Sequence, residues 1–283
     1  MPSAAWLVQR LFARAPATQR WARRVNTGLL ELIMVAGVLH YRRAKLLNRG
    51  AERIAKRHLH AQVSDPELRR QLTPDYSFGC KRPTFSNDYY RTFNRDHVDL
   101  ETASIARVTP TGVELVDGRS VDVDVLVLAT GFDMWDANFP AVEVVGRGGK
   151  NLGQWWRSTR FQAYQGIAVP GFPNLLSLAS PYSYSGLSFF TTIEGQMKHI
   201  DRLLTEVRRR GARTFEVTDP ANEEFLGWVT ERLGDSVFAL GSCATARSYY
   251  FNQHGEAALL RPTSTINTHR EAQSFPLDDY SYA

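Results

Sequence analysis

The stretch that decides the fold is VDVDVLVLATGFD, residues Val121–Asp133. Its first half alternates valine with aspartate, which is typical of a strand with one solvent-exposed face. Its second half, Val125–Ala129, is apolar at every position, as in a strand buried on both faces of a sheet. Thr130 and Gly131 then end the run with a hydroxyl group and a residue that allows close backbone approach. Because open α/β sheets bind ligands at such strand ends, the stretch predicts a buried strand leading to a binding site.

Shorter strands are predicted on both sides of this stretch. Ile105–Val108 and Val113–Val116 are rich in β-branched residues and flank a Pro-Thr-Gly turn. Asp117-Gly118, a dipeptide typical of tight hairpins, joins the second of these strands to the valine-rich stretch. We also expect short strands at Val98–Leu100 and Leu175–Ala179.

Residues 1–62 predict a run of helices, because their apolar residues recur at helical spacing and Pro16 separates the first helix from the second. The longest apolar run is Leu29–Leu39. As a helix it would span about 16 Å, well short of the roughly 30 Å of bilayer hydrocarbon. The run therefore predicts a core helix and not a membrane span.

The net charge of +5 is unevenly distributed. Residues 1–60 contain 12 Lys and Arg against 2 acidic residues, and the remainder contains 22 basic and 27 acidic residues. Nucleic acid, anionic lipid and a phosphorylated cofactor all suit such a basic segment, and a solvated helix face is the alternative. Of these we expect no nucleic acid, and we retain peripheral membrane contact through residues 1–60.

Cys80 and Cys243 are the two cysteines of the chain, and their distance along the sequence suggests no disulfide framework. We expect two inert core thiols and a reducing, cytoplasmic location. The sequence contains no GxSxG nucleophile elbow and no CxxC or HxxxH spacing. A serine hydrolase and a metal site are therefore not predicted.

A loop rich in hydroxyl groups, SPYSYSGLS at Ser180–Ser188, precedes a predicted helix with an apolar stripe from Ile193 to Val207. Backbone N–H groups at the start of a helix favour an anionic or polar ligand. By contrast, Gly146–Gly149 lacks the third glycine of the dinucleotide motif, so it predicts a hairpin turn.

Several short motifs occur in an order that is more specific than any one of them. They are GCKR (Gly79–Arg82), YYRTFNR (Tyr89–Arg95), ATGFD (Ala129–Asp133), PGFPN (Pro170–Asn174), the loop Ser180–Ser188, the helix start with Ile193, Glu194 and Gln196, and SYYFNQHG (Ser248–Gly255). In this order they resemble the C-terminal half of class B flavin-dependent monooxygenases, the Baeyer–Villiger and flavin-containing monooxygenase family.

The resemblance implies an α/β fold: part of a Rossmann-like two-domain fold that binds FAD and NAD(P), lacking its N-terminal half and carrying a helical N-terminal segment. It divides the chain into a helical segment at 1–75, the C-terminal part of an NADPH-binding domain at 76–133, and the C-terminal part of an FAD-binding domain with an aromatic tail at 134–283.

The resemblance also implies the chemistry, an NADPH- and O₂-dependent oxygenation of a ketone or heteroatom substrate through a C4a-peroxyflavin. It assigns the NADPH 2′-phosphate to Lys81, whose ammonium is a compact phosphate partner. It assigns the catalytic cation that stabilises the peroxyflavin to Arg82, whose guanidinium is always protonated.

Further residues are expected near the cofactors by the same resemblance. Thr130 and Gly131 would approach FAD, and Tyr249 matches a position near the nicotinamide. The loop residues Ser185, Gly186, Leu187 and Ser188 would also contact FAD.

Three family motifs are missing from the sequence: GxGxxG for FAD, GxGxS/A for NADPH, and FxGxxxHxxxW. We therefore expect a truncated form with impaired cofactor binding, whose missing half is supplied by another chain or has been lost. The alternative is a non-catalytic degenerate fragment, or a partner subunit of a split monooxygenase.

Overall fold

The computed structural model describes residues 2–131, 133–135, 140–185, 188–244, 246 and 248–283, with side chains from residue 8 onward. The chain forms two compact units. The first contains Met1–Ala51, Tyr76–Lys81 and Met134–Ala283, and the second contains Glu52–Asp75 and Arg82–Asp133. Because these segments alternate along the sequence, the backbone passes between the units four times: within α3 after Ala51, and then after Asp75, Lys81 and Asp133.

Helices form most of the regular structure. The described part of the chain contains α1 (Pro2–Arg14), α2 (Pro16–Glu31), a π-helix (Leu32–Leu39), α3 (Tyr41–Gln62), α4 (Pro66–Leu72), α5 (Tyr89–Thr92), α6 (Leu152–Ser158), α7 (Phe189–Arg210), α8 (Asp219–Leu233), α9 (Gly241–Ala244) and α10 (Thr265–Glu271), with 3₁₀ turns at Arg147–Gly149 and Val237–Ala239. The predicted run of N-terminal helices is confirmed, with α2 starting at Pro16. Among the described residues, no helix combines the length and the hydropathy that a membrane span requires.

The second unit contains an antiparallel meander of β1 (Ile105–Val108), β2 (Gly112–Leu115) and β3 (Ser120–Asp122). The two hairpins predicted from the sequence are confirmed, and Val113 pairs with Val121 across the β2–β3 ladder.

The prediction of a buried strand over Val125–Ala129 is wrong. Strand β3 ends at Asp122, and Val125, Val127 and Leu128 are 77%, 80% and 77% exposed. The reason lies in the pairing: Asp122 is opposite Gly112, where β2 begins, so β2 offers no partner to the residues that follow. No other strand in the described ranges pairs with them, and an apolar sequence cannot form a buried strand without neighbours.

Two other predicted strands are also absent. Val98–Leu100 is irregular, and Leu175–Ala179 is irregular and ends in a turn at Leu178 and Ala179. Asn174, just before the second segment, and Ala179, at its end, have φ values of 59° and 52°, which interrupt an extended backbone. Gly146–Gly149 forms a turn between the bridged residues Val145 and Asn151, as predicted.

The first unit has one apolar core, built around α6, α7 and α8. Its largest fully buried side chains include Trp156, Phe161, Tyr182 and Tyr184. An antiparallel ladder of β4 (Phe215–Val217) and β5 (Tyr280–Tyr282) fixes the C-terminus to this core. Mixed helix and strand agree with an α/β class, and the ladders described are antiparallel, so the Rossmann-like part of the fold stays a prediction.

Candidate cofactor-binding site

The segment Tyr76–Lys81, which carries the first three residues of GCKR, is held through its backbone inside the first unit. Gly79 has φ +97°, and a Cβ there would lie 2.5 Å from Cγ2 of Val38, so the backbone approaches the π-helix closely. The buried Asn48 donates from Nδ2 to the carbonyl oxygens of Phe78 (2.8 Å) and Gly37 (2.9 Å). Because Asn48 bridges the two segments, it fixes GCKR against the π-helix.

The expectation of two free core thiols is wrong. Cys80 and Cys243 form a disulfide, with Cα atoms 5.0 Å apart and a sequence separation of 163. The side chains of Ser77 and Ser242 meet beside it, with Oγ atoms 3.3 Å apart. Separation in sequence does not limit separation in space, so the spacing argument failed. The bond links GCKR to the segment that leads to Tyr249.

Lys81 follows directly after the disulfide and is exposed. Its Nζ lies 4.9 Å from the centre of the Tyr76 ring, within cation–π range. The result is an ammonium group that reaches solvent from an anchored backbone. Arg82, the next residue, is exposed and belongs to the second unit.

Thr130 and Gly131 also belong to the second unit. Both are exposed, and Gly131 has φ +85°. This backbone angle is in the left-handed region, so glycine is required there although no atom lies within 4 Å of its absent Cβ. Phe132 of the same motif lies outside the described residues.

The loop rich in hydroxyl groups belongs to the first unit, and most of it is buried. Ser180, Ser183 and Ser185 are 0%, 2% and 2% exposed. Ser185 Oγ lies 3.4 Å from Thr265 Oγ1. The hydroxyl oxygens of Ser180 and Ser183, however, have no hydrogen-bond partner among the described residues. A buried hydroxyl group without a hydrogen bond lowers the stability of the fold, so these two groups indicate a hydrogen-bond partner outside the described residues.

Ser188 occupies the N-cap position of α7, a helix of 22 residues, with extended backbone angles. Its side chain makes no capping hydrogen bond. In the first turn, Thr192 is buried and its Oγ1 lacks a partner among the described residues. The predicted site residues Gly186 and Leu187 lie outside the described residues.

Tyr249 is 40% exposed and lies on the C-terminal tail, residues 241–283. Its ring centre is 4.7 Å from that of Tyr250. Its carbonyl oxygen accepts a hydrogen bond from Nε1 of the buried Trp135, at 3.0 Å. These contacts fix the backbone of the tail while the Tyr249 side chain reaches the surface.

The tail connects the two parts of the site that lie in the first unit. It starts at the disulfide beside GCKR and later pairs with the hydroxyl-rich loop. Tyr182 donates its backbone N–H to the carbonyl of Ala258 at 2.6 Å, and Tyr184 donates to Leu259 at 3.1 Å. The structure therefore places Lys81, Ser185, Ser188 and Tyr249 on segments that one tail holds together.

Beside the loop residue Tyr182 lies an ion pair that the sequence did not reveal. Arg160 NH2 lies 2.8 Å from Glu256 Oε1. Burial, followed by the charge of Glu256, raises the pKa of the adjacent Tyr182 to about 12. The Tyr182 hydroxyl therefore stays protonated at neutral pH. Neither this pair nor Asn48 belongs to a motif, so no sequence signal could have identified them.

The chain was compared with known proteins, and no protein-family model matches it. A Baeyer–Villiger monooxygenase of Pseudomonas aeruginosa is 35% identical over 86% of this chain and 45% of its own length. The structure of OTEMO with FAD and NADP has a TM-score of 0.74 at 23% identity, covering 88% of this chain and 46% of that one. Oxidised steroid monooxygenase bound to NADP has a TM-score of 0.72 at 26% identity, covering 84% and 46%.

These likenesses extend over most of the chain, which places it among the flavin monooxygenases. Within that class the chain is a partial, Baeyer–Villiger-like monooxygenase sequence. The chain spans about half the length of the curated relatives it matches.

Proposed function

We propose that this chain supplies the cofactor-facing part of a Baeyer–Villiger-type monooxygenase. The reaction is the oxygenation of a ketone or heteroatom substrate with O₂ and NADPH, and FAD, when bound, supplies the activation of oxygen. The observation that carries the proposal is the anchoring of GCKR to the tail by the Cys80–Cys243 disulfide. This link holds Lys81 and the Tyr249 segment within the unit that also contains the hydroxyl-rich loop.

Lys81 is proposed to bind the 2′-phosphate of NADPH. Its exposed ammonium donates in three directions and carries the charge that a phosphate group requires. The Tyr76 ring beside it and the disulfide before it limit its freedom, so less entropy is lost on binding.

Arg82 is proposed as the catalytic cation. Its guanidinium remains protonated at any physiological pH, so it can stabilise negative charge at the reacting oxygen without a proton transfer. The motif places it next to Lys81, which would bring the nicotinamide cofactor and the reacting centre to adjacent residues.

FAD fits the chain in part. The unsatisfied hydroxyl groups of Ser180 and Ser183 lie in the loop proposed to meet the flavin. The contacts we propose come from Thr130, Gly131, Ser185, Gly186, Leu187 and Ser188, with Tyr249 near the nicotinamide. The 283 residues contain no glycine-rich turn for a pyrophosphate group, so this chain alone is proposed to bind FAD weakly.

We propose the domain assignment as well. Residues 1–75 form a helical segment, 76–133 belong to the NADPH-binding domain and 134–283 to the FAD-binding domain, as parts of a Rossmann-like fold. The exposed Val125–Leu128 run favours the second candidate function, a subunit that is completed by a polypeptide carrying the missing half.

The experiment is a chimaera in which this chain replaces the matching portion of the Pseudomonas aeruginosa monooxygenase. We expect stoichiometric flavin absorbance and NADPH-dependent oxygen consumption with a ketone. A folded chimaera that binds FAD and yet neither oxidises NADPH nor consumes oxygen would contradict the proposal. In that case the non-catalytic alternative would be favoured.

A further inference from the structure

A cleft of about 700 Å³ opens in the first unit between α2, the π-helix and the start of α10. Its volume is within the range of small-molecule sites. The apolar part of the cleft includes Leu32, Val35 and Ala36 on one side and Ile266 on the other. Leu32 and Ile266 are 55% and 60% exposed, so an apolar ligand would cover surface that water now contacts.

The helical backbone at this cleft is unusual. The cleft residues Leu32, Val35 and Ala36 belong to the π-helix, in which His40 N donates to Val35 O five residues earlier at 2.9 Å. A π-helical turn is wider than an α-helical one, is rare in proteins, and frequently occurs at functional sites. This geometry is a second, independent indication that the cleft is a binding site.

The charged part of the cleft is cationic. Arg23 and Arg24 line it from α2, and both are exposed. In the described part of the chain neither forms an ion pair. Glu31 is the acidic residue of the cleft, and its Oε1 already accepts a hydrogen bond from the backbone N–H of Thr265. The two guanidinium groups are therefore left to attract an anion.

The cleft also lies beside the loop proposed to meet the flavin. Thr265 lines the cleft, and its Oγ1 is 3.4 Å from Oγ of Ser185. A ligand in the cleft would therefore lie one side chain from that loop.

From these observations we propose that the cleft receives the substrate, and that the substrate class is an amphipathic organic carboxylate with a ketone, a keto acid. This inference rests on the proposed function. The apolar walls hold the hydrocarbon chain, and the guanidinium groups of Arg23 and Arg24 hold the carboxylate. Since a guanidinium group pairs with a carboxylate through two parallel hydrogen bonds, the site selects acids over their esters.

The test is equilibrium binding to the purified chain by calorimetry, which needs no cofactor. The probes are monomeric oxodecanoate, a keto acid, and its methyl ester, which lacks the charge. We expect the acid to bind at least tenfold more tightly than the ester. Replacing both arginines, R23A/R24A, should remove this preference, and the control R49A/R208A, with two exposed arginines outside the cleft, should keep it.

Ala36→Phe provides a second variant, because it fills the cleft and leaves both arginines in place. We expect it to weaken binding of acid and ester alike. Equal affinity for acid and ester, an acid preference that survives R23A/R24A, or binding that survives Ala36→Phe would each overturn the proposal. Binding to phosphatidylglycerol vesicles without binding of the monomeric acid would also overturn it, in favour of a membrane surface.

The two proposals fail separately. A chimaera that oxygenates neutral ketones while the chain shows no acid preference would overturn the substrate class and leave the proposed function intact. A chimaera with no NADPH-dependent turnover, combined with acid binding that depends on Arg23 and Arg24, would contradict the proposed function and leave the ligand class of the cleft intact.

Discussion

Reduction of the Cys80–Cys243 disulfide is predicted to destabilise the first unit strongly. The bond closes a loop of 163 residues. In the chain-entropy description, a loop of this length corresponds to about 5 kcal/mol of unfolding free energy, and measured values are more often about 2 to 4. Since whole domains have about 5 to 15 kcal/mol of stability, a large share depends on this bond.

The assay is urea unfolding followed by tryptophan fluorescence, with and without dithiothreitol. We expect dithiothreitol to lower the unfolding midpoint of the natural chain, and Cys80→Ala and Cys243→Ala to lower it similarly. The double variant should be close to either single variant, because each one removes the same bond. It also serves as the control, since dithiothreitol should not affect it.

Two results would refute this reasoning. One is an unfolding midpoint that dithiothreitol leaves unchanged in the natural chain. The other is the detection of two free thiols in the unfolded chain without reductant. Either result would show that Cys80 is held by packing alone and that the covalent anchor of Lys81 does not exist.

Three further predictions concern the pH dependence of stability, the close contact at Gly79 and the binding of FAD. Burial, together with the positive charge of Arg202, lowers the pKa of His199 to about 4. Because the unfolded chain then binds a proton that the folded chain rejects, stability should fall by about 3 kcal/mol as pH drops from about 6.5 to 4. His199→Gln should flatten this dependence of stability on pH, and the control variant His97→Gln, at an exposed histidine, should leave it unchanged. A pH dependence that His199→Gln does not alter would contradict its assignment to the buried His199. Gly79→Ala should lower the free energy of unfolding in urea by about 2 to 4 kcal/mol, because the new Cβ would meet Val38. The control Gly118→Ala should lower it by about 1 kcal/mol, since Gly118 also has a positive φ but its Cβ would meet no atom within 4 Å. Equal losses of unfolding free energy in the two variants would rule out the close contact with Val38. The purified 283-residue chain should show no stoichiometric flavin absorbance after FAD addition and gel filtration, and a one-to-one yellow complex would disprove weak binding.

Local patterns were sufficient for the elements that depend on local interactions. The break at Pro16, the amphipathic stripe of α7 and the turn at Asp117-Gly118 all follow from nearby residues, and the structure contains each of them. The strand predicted at Val125–Ala129 failed because a buried strand depends on neighbours that the sequence pattern cannot supply.

The candidate site shows the same division. The order of motifs identified the family and pointed to Lys81 on a glycine-containing segment. It did not reveal that Cys80 bonds to Cys243, that Asn48 holds the segment, or that a cleft lies beside Thr265. These features arise from residues far apart in sequence, and no spacing rule encodes them.

Coenzyme preference is the most direct measure of the central claim, that Lys81 recognises the NADPH phosphate in a monooxygenase of this family. In the chimaera, kcat/KM should favour NADPH over NADH. Lys81→Ala should reduce kcat/KM for NADPH by about 10- to 100-fold, the expected cost of one charged hydrogen bond, and should leave the value for NADH unchanged. Lys81→Arg should retain most of the preference. An equal loss with both coenzymes, or no loss with either, would contradict the account.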